Sequence, residues 1–370
     1  MFDSIIVLLS VLLLSATLLP VWRHEAWWVR GLDFPRLQFF ILAVALLTLE
    51  LLALDLAQPL PLLSVLITVS CLVYQAWWIL PYTRFYPVEV KSASSNQARE
   101  PQAFKIMTAN VLMTNTEAED LIASVQQHAP DILVTLESNQ WWQEQLDKLG
   151  NKYPFAIKCP LDNLYGMHVY SRFEISDSQV EYLVEPHVPS MHGSFTLASG
   201  DSVYVHFLHP APPSPVENEE SAERDAELLL IAKQVVKHKQ PVIVTGDLND
   251  VAWSHTTRLF RKISGLLDPR IGRGMFNTFH AGYFFIRWPL DHLFHSHHFR
   301  VRSIKRLPIT GSDHFALLTH LVYLPEKHNG ERSLHPDDSD RRWAEEKLQN
   351  KGVNDEDALP LSNHDKLPDK

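Results

Sequence analysis

The stretch Pro241–Asn249 reads PVIVTGDLN, a short apolar and β-branched run that ends in a glycine, a carboxylate and an amide. Such a run is typical of a buried strand, which places Asp247 and Asn249 where the strand ends. The segment Ile309–Leu318, ITGSDHFALL, sets a second carboxylate and an imidazole beside another apolar run. Because polar side chains at strand ends can share one sheet edge, the two segments together predict a polar cleft.

Four more apolar runs carry a polar residue at or near one end. FKIMTAN ends at Asn110, DILVTLE ends at Glu137, SVYVHFLH ends at His209, and PLDHLF contains Asp291. Between the first two runs, residues Glu117–His128 have apolar side chains at helical spacing. Alternating strands and helices predict an α/β protein.

The side chains at these strand ends are rich in oxygen donors and include no thiol. Three aspartates, one glutamate, two asparagines and two histidines suit a hard divalent cation such as Mg²⁺, Mn²⁺ or Ca²⁺. The two cysteines of the sequence, Cys71 and Cys159, exclude a disulfide framework and a Cys-rich zinc module. Carboxylates and an imidazole around a divalent cation are suited to cleaving phosphate esters.

Taken in chain order, these motifs resemble the endonuclease/exonuclease/phosphatase superfamily, which has the DNase-I-like fold. The resemblance is carried by Asn110, Glu137, His209, GDLN at 246–249, Asp291 and SDH at 312–314. It covers most of Phe104–Leu324 and implies a four-layer α/β sandwich, with two mixed sheets face to face and helices outside. It also implies a metal-dependent hydrolase of phosphodiester or phosphomonoester bonds, with Mg²⁺ or Mn²⁺ as cofactor.

The resemblance assigns metal-binding roles to three residues. It implies that Glu137 is the main metal ligand and that Asn110 is a second ligand or a hydrogen-bond partner. Asp313 matches an additional ligand of the metal or of its water. One departure lies beside this group, because Leu136 stands where the family usually has glutamine. This departure affects a secondary contact and leaves the metal ligand in place.

The resemblance assigns catalytic roles to five residues. Asp247 and Asn249 match the pair that orients or deprotonates the nucleophile and holds the scissile phosphate. His314 matches the catalytic imidazole, and Asp291 matches the carboxylate that orients it. His209 matches a phosphate-contacting histidine.

Several assignments around the cleft have an alternative. His206, three residues before His209 and inside its apolar strand, is the other candidate for the phosphate-contacting histidine. Three residues occupy family positions near the cleft and are candidates for substrate binding, each with a structural role as the alternative: Arg172, Thr278 and Arg287. A basic cluster at Arg300, Arg302, Lys305 and Arg306 either meets an anionic headgroup or phosphate backbone or forms a solvated strand face.

Three apolar stretches near the N-terminus predict about three transmembrane helices. They cover residues 4–21, 37–57 and 60–80, and each is long enough to cross about 30 Å of hydrocarbon as a helix. A cleaved signal peptide is the alternative for the first stretch. Basic residues follow the first and third stretches, so the positive-inside rule predicts an external N-terminus and a cytoplasmic catalytic domain. This organisation resembles membrane-anchored bacterial members of the superfamily, located in the inner membrane.

The sequence therefore predicts a membrane region at 1–82, a linker at 83–103, the catalytic domain at 104–324 and a polar tail at 325–370. The tail is expected to be disordered or to hold a short helix around Arg341–Leu348. The formal charge of −10 argues against a protein that coats nucleic acid by charge alone. Nucleic acid as an endonuclease substrate, a lipid headgroup and a small phosphate ester all stay open, and an idle membrane-tethered binding module is a further alternative. No protein partner is predicted.

Overall fold

The computed structural model describes residues 2–238, 240–325 and 333–351, and in these ranges it has eleven strands and nine α-helices. The strands are β1 (Ala103–Asn110), β2 (Ile132–Leu136), β3 (Phe155–Cys159), β4 (Met167–Ser171), β5 (Glu174–Glu181), β6 (Ser190–Thr196), β7 (Ser202–Leu208), β8 (Val242–Asp247), β9 (Asp291–His295), β10 (Phe299–Pro308) and β11 (Phe315–Tyr323). The helices are α1 (Phe2–Leu18), α2 (Trp27–Arg30), α3 (Arg36–Ala53), α4 (Pro59–Ile79), α5 (Ala118–His128), α6 (Gln140–Leu146), α7 (Ala222–Lys237), α8 (His255–Ser264) and α9 (Asp338–Asn350).

The strands form two mixed sheets that pack face to face. One sheet has the order β10-β11-β1-β2-β4-β3 and the other has the order β5-β6-β7-β8-β9. Between them lies a core of apolar side chains such as Ile106, Phe207 and Ile243. The hydroxyls of Thr108 on β1 and Thr245 on β8 are 2.9 Å apart, so the central strands of the two sheets also make a polar contact.

Helices cover the outer face of each sheet. Leu121 of α5 and Trp142 of α6 pack in one apolar cluster with the larger sheet. Ile231 of α7 and Phe260 of α8 pack in another with the smaller sheet. The result is a four-layer α/β sandwich of the DNase-I-like type, which confirms the predicted fold class.

Three long apolar helices precede the sandwich, as predicted. Segments long and apolar enough to cross a membrane are Asp3–Val21, Arg36–Ala53 and Pro59–Tyr82. The second helix ends at Ala53 instead of residue 57, because the backbone is extended at Leu54. Glu50, the carboxyl inside this helix, is fully buried and accepts hydrogen bonds from three hydroxyls of the neighbouring helices: Ser10, Ser64 and Thr68.

The segment predicted as a linker lies against the sandwich. Val90 and Ala93 are buried, and both carboxylate oxygens of Glu89 accept hydrogen bonds from Arg261 at 2.6 Å. The Ala93 amide donates to the Val301 carbonyl oxygen at 2.9 Å. Residues 89–93 are therefore part of the folded domain, a relation that the polar composition of the segment did not reveal.

The polar tail contains α9. This helix covers Arg341–Leu348, for which a short helix was one of the two predicted states and disorder the other. Asp337 and Asp340 form a capping box at its start. Trp343 and Leu348 pack in an apolar cluster with α7 and α8, and Lys347 pairs with Asp225 at 2.7 Å. Residues 326–332 and 352–370 lie outside the described residues.

Candidate active site

The predicted polar residues meet at one edge of the two sheets. Asn110 ends β1, Glu137 follows β2, Asp247 ends β8, and Asp291 begins β9. The register pairs Asn110 with Leu136 and Asp247 with Asp291, so these strand ends are adjacent. His314 directly precedes β11, which pairs with β1. The strand ends therefore bring side chains from both sheets together.

Gly246 allows β8 to reach this edge. Its φ is 154°, and a Cβ at this position would lie 1.8 Å from the carbonyl oxygen of Leu208 on β7. Any larger residue would push the two strands apart. The glycine in the GDLN motif therefore sets the position of Asp247 in the cleft.

Asn110 links the carboxylates of the two sheets. Its Nδ2 donates to Glu137 Oε1 at 2.7 Å and to Asp247 Oδ2 at 3.2 Å. Its Oδ1 accepts from the backbone amide of Leu112 at 3.1 Å, which fixes the orientation of the amide. Of the two roles that the sequence left open for Asn110, this geometry is that of a hydrogen-bond partner.

His314 lies between two carboxylates. Its Nδ1 is 2.8 Å from Asp291 Oδ2, and its Nε2 is 3.5 Å from Asp247 Oδ2. Burial by itself lowers the pKa of His314, but the charges of Asp291 and Asp247 outweigh this effect and raise the pKa to about 10. The imidazole is therefore protonated at neutral pH and is held in one orientation.

Asn249 and Glu137 both have left-handed backbone conformations. Their φ angles are 50° and 55°, a region in which a glutamate is uncommon. The Asn249 amide donates to Asp247 Oδ1 at 3.0 Å, and its side-chain nitrogen donates to the Pro210 carbonyl oxygen at 3.0 Å. Strained residues that cluster at a polar cleft are typical of functional sites.

His209 and His206 occupy different environments. His209 follows β7, is 2% exposed, and has its ring 5.4 Å from the ring of Tyr165 at a tilt of 48°. Burial lowers the pKa of His209 to about 4 despite the charge of Asp247. His206 lies within β7, where its ring packs on His192 and Tyr204. Of the two, His209 is the one that the structure brings near Asp247.

Two of the three candidates for substrate binding have contacts that fit the structural role that was their alternative. Thr278 is fully buried, and its hydroxyl accepts a hydrogen bond from the Asp291 amide at 3.2 Å, so it supports the carboxylate from behind. Arg172 follows Ser171, which pairs with Ile132 at the start of β2, whereas the cleft lies at the other end of that strand. Arg172 therefore lies away from the cleft.

Arg287 lies at the rim of the cleft. Its guanidinium donates to the carbonyl oxygens of His280 and Ala281 and stacks at 4.9 Å over Phe315, the residue after His314. Asp313 is partly buried, and among the described residues its Oδ1 has no hydrogen-bond partner. Both residues therefore border the same space as His314.

The donor set fits a divalent cation. Burial and the charge of Asp247 raise the pKa of Glu137 to about 7, because the Asn110 hydrogen bond and His314 only partly compensate these effects. A bound cation would favour the ionised carboxylate. Asp247, Asp291 and His314 also have ligand atoms within 4.8 Å of one another. Both ring nitrogens of His314 face carboxylates, which is the arrangement of a proton network.

Two buried arginines that the sequence analysis missed support the cleft. Arg224 donates to the Asn249 carbonyl oxygen at 2.8 Å and pairs with Asp225 at 2.9 Å. Arg270 donates to the Asp291 carbonyl oxygen at 3.3 Å. Arg224 lies in a helix rich in charged residues, where the sequence gives no sign that this arginine is buried.

Several solved structures have a fold similar to that of this chain. TDP2 of D. rerio carrying 14 humanising mutations is 17% identical, with a TM-score of 0.51, over 60% of this chain and 99% of that one. D. rerio TDP2 complexed with a single-strand DNA product is 16% identical, with a TM-score of 0.50, over 59% of this chain and 98% of that one. An endonuclease/exonuclease/phosphatase from Beutenbergia cavernae is 17% identical, with a TM-score of 0.50, over 60% and 72%. At these identities the likeness shows the fold alone.

No curated protein is similar enough in sequence to count as a relative. The sequence profile of the Endonuclease/Exonuclease/phosphatase family matches residues 107–314, which is more than half of the chain. This match spans the cleft from β1 to His314. The chain therefore belongs to the endonuclease/exonuclease/phosphatase family and is a metal-dependent hydrolase that acts on ester bonds.

Proposed function

We propose that this chain is a membrane-anchored phosphoesterase that uses Mg²⁺ or Mn²⁺ to hydrolyse phosphodiester or phosphomonoester bonds. The observation that carries the proposal is the imidazole of His314 between Asp291 and Asp247, with Glu137 and Asn110 at the same sheet edge. Three candidate spans precede this site on the same chain. We further propose that the protein lies in a bacterial inner membrane with its catalytic domain in the cytoplasm.

Each cleft residue has a chemical task in this proposal. Glu137 and Asp313 would hold the divalent cation, with Asn110 orienting Glu137. The chemistry that such a cation would supply here is polarisation of the phosphoryl group. Asp247 and Asn249 position the attacking water.

The two histidines of the cleft act in different protonation states. His314 is a cation at neutral pH and stabilises the charge that develops on the phosphoryl oxygens or donates a proton to the leaving group. His209, whose pKa lies near 4, is neutral and offers one N–H as a hydrogen-bond donor to the phosphate.

An endonuclease and a lipid-headgroup or small-molecule phosphoesterase are the two candidate functions. A DNA product is bound in the similar structure of D. rerio TDP2, which supports the first. The acidic net charge of −10 supports the second, because binding of DNA draws its affinity from phosphate contacts with basic residues.

Parallel hydrolysis assays test the proposal. The full chain in nanodiscs would receive plasmid DNA and, separately, bis(p-nitrophenyl) phosphate, each with Mg²⁺ or with EDTA. We expect hydrolysis that requires Mg²⁺ and that falls by about 10²-fold or more in Asp247→Asn. Asp338→Asn, at an exposed carboxylate on α9, is the matched control. Metal-independent hydrolysis, or normal turnover in Asp247→Asn, would refute the proposal.

A further inference from the structure

A loop beside the active site exposes four large apolar side chains in a row. This aromatic loop, Tyr283–Ile286, has exposed fractions of 57%, 81%, 80% and 48% along its length. Contiguous exposed apolar surface is costly in water and marks a site of interaction with another apolar phase. The loop therefore has a partner surface outside the catalytic domain itself.

The aromatic loop is joined to the membrane region of the chain. Gln38, in the first turn of α3, donates from Nε2 to the Phe285 carbonyl oxygen at 2.6 Å. Phe34, just before α3, packs edge-on against Trp288 at 5.5 Å. Because α3 is a candidate span that begins at Arg36, these contacts place the loop at the level where the helix enters the bilayer.

The base of the aromatic loop is part of the active-site wall. The ring of Phe279 lies 5.0 Å from the ring of His314 and 6.3 Å from the ring of Trp288. The Ala281 amide donates to the Asp313 carbonyl oxygen at 2.6 Å. Two aromatic rings, Phe279 and Trp288, thus separate His314 from the start of the span.

A second loop of the cleft also contacts the anchor. The Tyr82 hydroxyl, at the end of the third span, donates to the Ala252 carbonyl oxygen at 2.5 Å. Trp253 Nε1 donates to the carbonyl oxygen of Asp33 at 2.9 Å. Ala252 and Trp253 follow shortly after Asn249, so the catalytic end of the sandwich is the end that faces the membrane region.

A basic groove lies beside Phe315, the residue after His314. Its cavity of about 540 Å³ is also lined by Arg84, Arg273, Lys305 and Arg306. Arg84 lies two residues after the third span, and its neighbour Phe85 is 93% exposed. Cations at this level attract the anionic headgroups of a bilayer.

We propose that the aromatic loop inserts into the surface of the bilayer that the chain's own helices span, and that the active site takes a phosphate ester carried by a membrane lipid. The proposal deepens the proposed function and rests on it. The lipid tails stay in the bilayer, the aromatic loop displaces headgroups, and the basic groove holds the anionic surface close to His314. A lipid is favoured over a nucleic acid because the exposed patch is apolar and is attached to the start of a span.

Labelling of the loop tests the insertion directly. Phe284→Cys, in a Cys159→Ser background, would carry an environment-sensitive fluorophore in nanodiscs of equimolar phosphatidylethanolamine and phosphatidylglycerol. We expect quenching by spin-labelled lipid and protection from a water-soluble quencher. Val236→Cys, at a position that is 62% exposed and lies near the start of β8, the end opposite to Asp247, should show the reverse. Equal access of the soluble quencher to both positions would overturn the insertion.

Hydrolysis by a loop variant tests the substrate class. We compare release of phosphorylated headgroup from the same nanodiscs with hydrolysis of bis(p-nitrophenyl) phosphate. The double variant Phe284→Ser/Phe285→Ser should lose about tenfold or more of lipid turnover, since each lost apolar contact weakens membrane engagement. Its hydrolysis of the soluble diester should change by less than about twofold. Val236→Ser is the control and should leave both rates unchanged.

The outcomes separate this inference from the proposed function. Lipid and soluble-diester rates that fall equally in the double variant, or a lipid rate that does not fall, would overturn the inference. Wild-type hydrolysis of the soluble diester or of plasmid DNA without any lipid hydrolysis would overturn the lipid substrate and leave the phosphoesterase standing. A wild type that is inactive on every substrate with Mg²⁺ would overturn the proposed function itself.

Discussion

Replacing Asp291 by asparagine tests the central geometry of the cleft. The rise in the pKa of His314 from 6.5 to about 10 corresponds to about 5 kcal/mol in favour of the imidazolium. Asp291 is the nearer carboxylate, at 2.8 Å against 3.5 Å for Asp247. If it supplies half of the effect, Asp291→Asn lowers the pKa of His314 by about 2 units.

The variant should therefore lose the fixed orientation of His314 at neutral pH and its charge at alkaline pH. We expect kcat to fall by about 10²- to 10⁴-fold, because a neutral amide no longer holds the imidazolium in place. The sign of the pH effect follows from the raised pKa. In the wild type the imidazolium persists to about pH 9, whereas in the variant it is lost from about pH 7 upward, so the loss of activity on the alkaline side should begin at a lower pH than in the wild type.

The assay is the pH dependence of kcat for the full chain with saturating Mg²⁺, with thermal unfolding as the check of folding. Asp338→Asn, at an exposed position on α9, controls for the loss of one negative charge. A variant that unfolds normally, keeps more than about a tenth of the wild-type kcat and has the wild-type pH profile would refute the reasoning.

Three further changes probe the metal donor, the buried support and the core. Glu137→Gln should weaken Mg²⁺ binding by about tenfold or more, and wild-type affinity should rise with pH through about 7, where this carboxyl ionises; calorimetric titration at several pH values measures both. Arg224→Gln should cost about 1–3 kcal/mol of stability, seen as a lower Tm, because Asp225 keeps only Lys347 as a cationic partner and the Asn249 carbonyl oxygen loses its buried donor. Burial raises the pKa of Glu227 from 4.5 to about 8, so its folded state loses stability as pH rises between these values. Glu227→Gln should therefore raise Tm at pH 9 and leave it nearly unchanged at pH 4.

The strand ends that hold Asp247 and His314 could be predicted because their conformation depends on residues that are adjacent in the sequence. A β-branched run followed by GDLN can fold in few ways, and Gly246 leaves room for β8 beside β7. The sequence did not reveal the end of the sheet at which a residue lies. Arg172 follows a strand just as Glu137 does, but β4 runs antiparallel to β2, so Arg172 is at the opposite end.

The sequence also did not predict which charged and polar side chains are buried. Arg224 lies in a helix that reads as amphipathic and charged, yet its guanidinium is 1% exposed and holds the carbonyl oxygen of Asn249. Thr278 precedes an aromatic run and resembled a cleft residue, whereas its hydroxyl supports the Asp291 amide from inside. Both roles depend on partners far apart in the chain, which periodicity and propensity do not describe.

The region that holds the three long apolar helices contacts loops of the cleft directly. Two loops of the cleft form hydrogen bonds with this region. Trp253 Nε1 donates to the Asp33 carbonyl oxygen, and Gln38 Nε2 donates to the Phe285 carbonyl oxygen. Glu89, in the segment predicted as a linker, accepts a hydrogen bond from the buried Arg261 of α8. A soluble fragment without residues 1–99 would lose all three contacts and would expose the apolar faces beneath them. The N-terminal helices therefore help to hold the loops of the cleft in place.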